Sequence, residues 1–241
     1  MTRVIRSFYK ASFEEIGAEL LLDREESFHL SKVLRRVKGD RIEVLDGRGI
    51  RAKAECLEVT SQSVRVSILE IQKLPQVIPQ IRMLISLTKS GGWEDLIKPL
   101  TELGVNQVTP LITERTEVKM DKKKFENKKN KCEKLAMEGC KQSGNPWLPG
   151  IDDPQTLASY LSECDRPIFM ASLAAGVSGL SIDQNIQAFD ILVGPEGGWT
   201  VDEERMSKAN GARFFSLGSS TLRTETAVLS SLAVARNQFL D

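Results

Sequence analysis

Two glycine-bearing stretches near the end of the chain decide its fold: ILVGPEGGW at Ile191–Trp199 and FFSLGSSTLRTETA at Phe214–Ala227. Each follows a short apolar run that is typical of a buried strand, and each leads into a segment with helical spacing. Successive strand–loop–helix junctions are typical of α/β sheets, which bind ligands at the carboxyl ends of their strands. The sequence therefore predicts a ligand pocket built by these two loops.

The C-terminal two thirds of the chain alternates short apolar runs with helical segments. The predicted strands are Ile81–Leu87, Val105–Ile112, Pro167–Ala171 and Ala188–Val193. The predicted helices are Trp93–Leu103 with Gly104 at its end, Lys122–Gln142, one starting at Asp153-Pro154, one after Thr200 with Glu203 in a capping box, and Thr224–Gln238 with Thr224 as N-cap. This alternation predicts an α/β fold with a mostly parallel sheet and covering helices.

Residues 1–72 have a different pattern, which is typical of antiparallel strands. Apolar and polar residues alternate in Arg41–Leu45, Ile50–Val59 and Ser63–Ile71, and Asp46-Gly47 is a hairpin signal. A short helix is predicted over Ser27–Arg36. These residues form a small barrel-like module, followed by the linker KLPQVIPQ at 73–80 and a second domain over 81–241.

Composition limits the class of protein. The chain has 241 residues, 41% apolar content and no net charge. It carries no continuous apolar segment long enough for a membrane span and no signal-peptide pattern, so we expect a cytoplasmic protein. Four cysteines without a CxxC pair and a single histidine argue for reduced thiols and against a metal site. Basic residues concentrate in Lys32–Lys53 and Lys119–Lys134, which indicates either polyanion binding or solvated helix faces.

The loop chemistry differs from that of nucleotide-phosphate sites. Neither GxGxxG nor GxxxxGK[ST] is present, Pro195 lacks a backbone N–H, and Glu196 would repel a phosphate. A rigid turn with a carboxylate suits a positively charged ligand or proton handling, although it can also be purely structural. Arg223 can face an anion at the pocket mouth or form a surface ion pair.

Together these motifs resemble the SPOUT-class RNA methyltransferases, and specifically the RsmE type. The resemblance rests on VGPEGGW and LGSSTLRTETA, and it extends over the whole chain. The further matching stretches are HLSKVLR at His29–Arg35, VLDGRG at Val44–Gly49, LTELGV at Leu100–Val105, Thr113–Arg115 and KQSGNPWLP at Lys141–Pro149. Ser220 and Asn145 stand where this family usually has arginine, and Pro99 predicts that the helix after the first strand kinks or begins late.

The resemblance implies an N-terminal PUA-like module and a C-terminal trefoil-knotted domain that binds S-adenosylmethionine and works as a homodimer. The implied reaction is methylation of a uridine of 16S ribosomal RNA, in the small subunit, at ring nitrogen N-3. The implied cofactor-binding residues are Leu87, Gly194, Pro195, Glu196, Gly197, Gly198, Leu217, Gly218, Ser219, Leu222 and Thr224.

Chemical roles follow as hypotheses. Methyl transfer needs positioning and removal of the uridine imide proton. Glu196 is the candidate for proton handling or for contact with the cationic end of the cofactor, and Arg223 for stabilising a uridine anion or holding a phosphate. The candidate RNA contacts are Arg6, Lys32, Arg35 and Arg36. His29 is either a base contact or a helix histidine packed beside Phe28.

Two alternatives remain open at the level of sequence. The same chemistry could act on another RNA such as transfer RNA, which the changes at Ser220 and Asn145 leave possible. A non-catalytic RNA-binding protein could retain the fold, although the intact GPEGG and LRTETA motifs argue against it. A nucleotide-dependent enzyme of the doubly wound class is disfavoured by the missing phosphate-binding motifs.

Overall fold

The computed structural model of the chain describes residues 4–87, 92–116, 122–173 and 177–239. It forms two compact units, one of Met1–Gln76 with Met137–Leu148 and the other of Val77–Ala136 with Pro149–Asp241. The predicted boundaries differ from this division at residues 137–148, which they place in the second domain. Local contacts explain the difference: the indole Nε1 of Trp147 donates to the carbonyl oxygens of Leu74 and Pro75, at 3.2 Å and 3.1 Å.

The first unit is built on a five-stranded sheet with the order β1-β3-β4-β5-β2. Its strands are β1 (Arg6–Phe8), β2 (Glu19–Leu21), β3 (Arg41–Leu45), β4 (Ile50–Val59) and β5 (Val64–Lys73). β1 runs parallel to β3, and the other pairs are antiparallel. The predicted alternation is confirmed, because the apolar residues of β3, β4 and β5 supply the buried core of this unit.

The hairpin between β3 and β4 forms as predicted at Asp46-Gly47. The buried Asp46 carboxylate accepts hydrogen bonds from the backbone N–H groups of Arg48, at 2.7 Å, and Ile50, at 2.9 Å. The predicted helix over Ser27–Arg36 is wrong in its bounds. Helix α1 (Arg24–Phe28) starts earlier because Asp23 caps it at the Glu26 N–H, and a π-helical turn, His29–Val33, completes it.

The second unit contains a seven-stranded sheet whose described strand pairs are all parallel. Its strands are β6 (Gln80–Ser86), β7 (Gln107–Ile112), β8 (Gly150–Ile151), β9 (Gln155–Thr156), β10 (Ile168–Ala171), β11 (Ala188–Val193) and β12 (Arg213–Phe215). The order is β12-β10-β11-β6-β7-β8, with β9 also on β7. β10 therefore lies between the two strands that lead into the glycine loops. The predicted parallel α/β sheet is confirmed.

Five helices of the described residues accompany this sheet in sequence. A 3₁₀ turn, Gly92–Leu96, precedes α2 (Ile97–Glu102), and the others are α3 (Lys122–Ser143), α4 (Leu157–Glu163), α5 (Val201–Ala209) and α6 (Thr224–Asn237). The helix predicted over Trp93–Leu103 begins late as an α-helix, at Ile97. Pro99 therefore lies in the first turn of α2, where proline is tolerated. The capping box of Thr200 and Glu203 on α5 is confirmed.

One predicted helix start and one predicted N-cap are wrong, whereas the predicted start of the last helix at Thr224 is confirmed. Asp153-Pro154 does not begin a helix, because β9 follows it and Thr156 caps α4 through the Ser159 N–H at 3.1 Å. Thr224 is the first residue inside α6 rather than its N-cap, which is Arg223. Within the part of the chain that the structure describes, no helix is long and apolar enough to cross a bilayer.

Candidate functional site

The two glycine loops line a common cavity of about 240 Å³ in the second unit. Its wall comes from the residues that follow β10, β11 and β12, together with one side chain of α5 and the start of α6. The lining residues are Ala171, Ser172, Leu173, Val193, Gly194, Pro195, Glu196, Gly198, Trp199, Glu204, Phe215, Leu217, Gly218, Ser220, Thr221, Leu222, Thr224 and Ala227. The cavity thus lies at the carboxyl ends of three adjacent parallel strands, where α/β sheets bind ligands.

Most of the predicted cofactor residues meet in this wall, and three do not. The residues brought together are Gly194, Pro195, Glu196, Gly198, Leu217, Gly218, Leu222 and Thr224. Leu87, Gly197 and Ser219 are outside the lining. Leu87 is buried, and its N–H extends the β6–β7 ladder by donating to the Leu111 carbonyl at 3.1 Å. Arg223 is exposed and also outside the lining.

Gly194 is needed for packing against Trp199. A Cβ atom at position 194 would lie 2.8 Å from Cε2 of the indole, closer than side chains tolerate. The indole Nε1 in turn donates to the Ala171 carbonyl at 2.8 Å, so Trp199 joins the loop after β11 to the end of β10. Gly194 thus packs against a side chain, although the sequence predicts only a ligand contact for it, and no sequence pattern places Trp199 in the wall.

The first glycine loop is also held from the end of β7. Arg115 donates through Nη1 to the carbonyl oxygens of Gly197 and Trp199. The buried Glu203 carboxylate accepts from the N–H of Glu114 at 2.8 Å and from the N–H of Thr200 at 2.9 Å. Thr113–Arg115, which the sequence analysis noted only as a matching loop, therefore supports the pocket loop directly.

The second glycine loop has its own supports. Gly218 has φ +129°, a conformation that favours glycine, and no atom lies within 4 Å of a Cβ built there. The Ser216 hydroxyl interacts with the Gly218 backbone, at 2.9 Å from its carbonyl oxygen and 3.2 Å from its nitrogen. The Thr224 hydroxyl, one residue into α6, donates to the Gly194 carbonyl at 3.3 Å and so connects the two loops.

The charged side chains of the wall are both carboxylates. Glu196 is exposed, whereas Glu204 is half-buried and accepts a hydrogen bond from the buried Ser172 hydroxyl at 2.9 Å. No lysine or arginine is found among the described residues that line the cavity. Sequence reasoning missed Ser172 and Glu204, because only the position of β10 between β11 and β12 brings Ser172 to this cavity.

A second cluster of titratable groups lies inside this unit and is structural. The Tyr160 hydroxyl donates to the buried Asp190 carboxylate at 2.8 Å, and Arg82 forms an ion pair with the same carboxylate. Burial raises the pKa of Tyr160 far above its usual range, so the phenol stays protonated. Among the described residues, no group of three or more His, Cys, Asp and Glu side chains is arranged to hold a metal ion.

The candidate RNA-binding residues in the first unit differ in their exposure to solvent and in their ion pairs. Lys32 and Arg35 are exposed, while Arg36 is half-buried beside Asp40 at 3.5 Å. Arg6 is half-buried, and its guanidinium is engaged within the unit: its Nε pairs with Glu43 at 2.8 Å and its Nη1 donates to the Lys141 carbonyl at 3.1 Å. Phe28, beside His29, exposes 53% of its surface.

Comparison with known proteins identifies the family to which this chain belongs. A family model described as an RNA methyltransferase domain matches residues 75–236, and one described as an RNA methyltransferase PUA domain matches residues 22–69. The ribosomal RNA small subunit methyltransferase E of Synechocystis sp. is 34% identical, with 90% of this chain and 73% of that protein covered. The protein of the same name from Bacillus subtilis is 30% identical, with 99% and 97% covered.

Solved structures agree with the sequence matches. A methyltransferase structure from Legionella pneumophila, described as a complex with the bound cofactor SAM, has a TM-score of 0.90 at 28% identity, and 98% of each chain is covered. The fold is also that of a ribosomal RNA small subunit methyltransferase E from Neisseria gonorrhoeae, with a TM-score of 0.88 at 23% identity and 98% of each chain covered. The predicted fold class, a PUA-like module followed by a methyltransferase domain of the SPOUT class, is confirmed. By these matches over nearly its whole length, the chain belongs to the family of ribosomal RNA small subunit methyltransferases E.

Proposed function

We propose that this protein uses S-adenosylmethionine to methylate ring nitrogen N-3 of a uridine in 16S ribosomal RNA of the small subunit. The observation that carries the proposal is the cavity that the GPEGG and LGSSTL loops form at the carboxyl ends of β10, β11 and β12. Its residues fit such a cofactor. Gly218 leaves open space where a side chain would stand, apolar Leu217 and Leu222 can pack on a ring, and the carboxylates suit a cation.

Within this proposal the backbone of the two loops holds the adenine part of the cofactor. Gly218 leaves open space, and the missing side chain at Gly194 lets the Trp199 indole pack against the loop, so that backbone N–H and C=O groups can approach a base edge. Leu87, Gly197 and Ser219 do not line the cavity. Leu87 therefore acts through the β6–β7 ladder, and Gly197 through its carbonyl bond to Arg115.

When bound, S-adenosylmethionine supplies an electrophilic methyl carbon on a positively charged sulfur. The residues of this chain must orient the uridine, exclude water and handle one proton, because N-3 loses hydrogen as it gains the methyl group. Glu196 is exposed in the wall and is the proposed proton acceptor or contact for the cationic part of the cofactor. Arg223 is exposed next to the wall residues Leu222 and Thr224, where it would stabilise a uridine anion or hold a phosphate.

The PUA-like unit is proposed to bind the RNA. Lys32 and Arg35 are its exposed basic residues among the candidates, and Arg36 contributes beside Asp40. Phosphate contacts of this kind position the RNA without reading its sequence. The working form proposed from the family resemblance is a homodimer in the cytoplasm that needs no metal. Sedimentation of the purified protein tests the oligomeric state.

The decisive experiment is transfer of labelled methyl groups to RNA. The purified protein is incubated with S-adenosylmethionine labelled at the methyl group and with small ribosomal subunits that lack the modification, and the RNA is digested to nucleosides. Label in 3-methyluridine supports the proposal. Label in another nucleoside, or only with transfer RNA, would refute the proposed substrate. Cofactor binding without any transfer would favour a non-catalytic RNA-binding protein.

Variants test the two proposed catalytic side chains. E196Q and R223K should reduce turnover on subunits by about a hundredfold, the lower end of the range for loss of a proton-transfer or charge-stabilising group. D202N is the matched control, because Asp202 is exposed on α5 and outside the cavity wall. Unchanged turnover in either variant would remove that residue from the mechanism.

A further inference from the structure

The cavity wall has an unusual charge balance for a site that works on a polyanion. Among the residues that the structure describes, the charged side chains of the wall are Glu196 and Glu204, and no basic residue lines it. Glu196 is exposed, so water screens its charge. Glu204 is half-buried on α5, and its Oε1 atom accepts from the Ser172 hydroxyl at 2.9 Å. The second carboxylate therefore has a fixed position in the wall.

The arginines described around these loops are engaged elsewhere or lie outside the wall, as is Arg213, whose guanidinium lies over the Phe169 ring. The Arg115 guanidinium donates to the carbonyl oxygens of Gly197 and Trp199. Arg205, the neighbour of Glu204 on α5, forms an ion pair with Asp202 at 2.7 Å. Arg223 is exposed and does not line the cavity. The described side chains of the cavity wall therefore carry negative charge only.

We propose that Glu204, positioned by Ser172, is a specificity-determining residue that makes this cavity favour the cationic cofactor over its neutral product. The inference rests on the proposed function. S-adenosylmethionine has a positive sulfur in addition to its amino and carboxylate groups, whereas S-adenosylhomocysteine has a neutral thioether. A carboxylate held in the cavity wall attracts the first more strongly than the second, to the extent that a half-buried charge allows. Loss of this attraction after transfer helps the product to leave.

Isothermal titration with three ligands tests the proposal without using turnover. The ligands are S-adenosylmethionine, S-adenosylhomocysteine and sinefungin, an analogue with an amine in place of the methylated sulfur. Sinefungin carries the extra positive charge but has no sulfonium methyl group. It therefore distinguishes attraction to the charge from contacts with the methyl group. The proteins are the unmodified chain, E204Q, S172A and the control D202N, which removes an exposed charge from the same helix.

The expected result is a change in the ratio of two affinities, that for a cationic ligand and that for S-adenosylhomocysteine. In E204Q the preference for both cationic ligands over S-adenosylhomocysteine should fall about twofold to fivefold, the range for a half-exposed charge pair. Affinity for S-adenosylhomocysteine itself should stay nearly constant. S172A, which frees the carboxylate, should give a smaller fall, and D202N none. Added salt should narrow the ratio for the unmodified chain more than for E204Q.

Other results would overturn the proposal in distinguishable ways. An unchanged ratio in E204Q refutes the role of Glu204, and equal weakening of all three ligands assigns it a structural role only. Failure of the unmodified chain to bind any of the three ligands would refute the proposed function itself. If E204Q does not fold, the salt dependence of the unmodified chain decides: a ratio that does not respond to salt contradicts charge selection.

Discussion

Replacing Glu203 tests how the pocket is held together. This carboxylate is only 6% exposed, and it accepts hydrogen bonds from two backbone N–H groups that belong to different loops, those of Thr200 and Glu114. In E203A both groups lose their acceptor, and one of them belongs to the capping box of α5. Each lost bond of this kind costs about 1–2 kcal/mol, so the free energy of unfolding should fall by about 2–4 kcal/mol.

Urea and thermal unfolding followed by circular dichroism measure this effect. For a chain of this size a loss of about 2–4 kcal/mol lowers the melting temperature by roughly 4–16 °C. E203Q should fall between E203A and the unmodified chain, because an amide has one acceptor oxygen for two donors. D202A removes an exposed carboxylate from the same turn and should change stability by less than about 1 kcal/mol. Equal losses in E203A and D202A would refute the reasoning.

Three further predictions concern packing, buried thiols and RNA binding. G194A should weaken cofactor affinity at least about tenfold, because its Cβ meets the Trp199 indole at 2.8 Å; calorimetry showing unchanged affinity would contradict this. Burial raises the pKa of Cys132 and Cys140 to about 12, so the folded chain keeps thiol protons that the unfolded chain releases above pH 9.0. Stability should therefore fall as pH rises above that value, and iodoacetamide should label both thiols only on unfolding, as mass spectrometry would show. K32A should lower RNA affinity and reduce the slope of log affinity against log salt concentration by about one. Binding isotherms at several salt concentrations measure this slope.

The sequence predicts the elements whose signal is local. Alternation in β3 and β4, the Asp46-Gly47 turn and the Thr200–Glu203 capping box each depend on residues a few positions apart, and all are confirmed. The start of α4 differs from the prediction because pairing with a distant strand overrides the local signal. A proline after aspartate is a common helix start, yet the backbone there pairs with β7 as β9, and Thr156 supplies the cap instead.

The loops of the pocket were predictable, but much of what holds them was not. Glycine-rich motifs after apolar runs identify Gly194 and Gly218 from the chain alone. Ser172 and Arg115 reach the same region because β10 lies between β11 and β12, and because the turn after β7 approaches the loop after β11. Strand order of this kind depends on the whole sheet, so no local pattern contains it.

The placement of these supports has a physical reason. Glycine lets a loop approach a ligand closely, but it loses more conformational freedom on folding than any other residue. A pocket made of two glycine loops therefore needs fixed contacts to other segments of the chain. Trp199, Glu203 and Thr224 provide them by binding backbone groups of other segments: the Ala171 carbonyl, the Glu114 N–H and the Gly194 carbonyl. Because the contacts of Trp199 and Thr224 both meet the loop after β11, the loss of cofactor affinity on removing both together should differ from the sum of the two single losses.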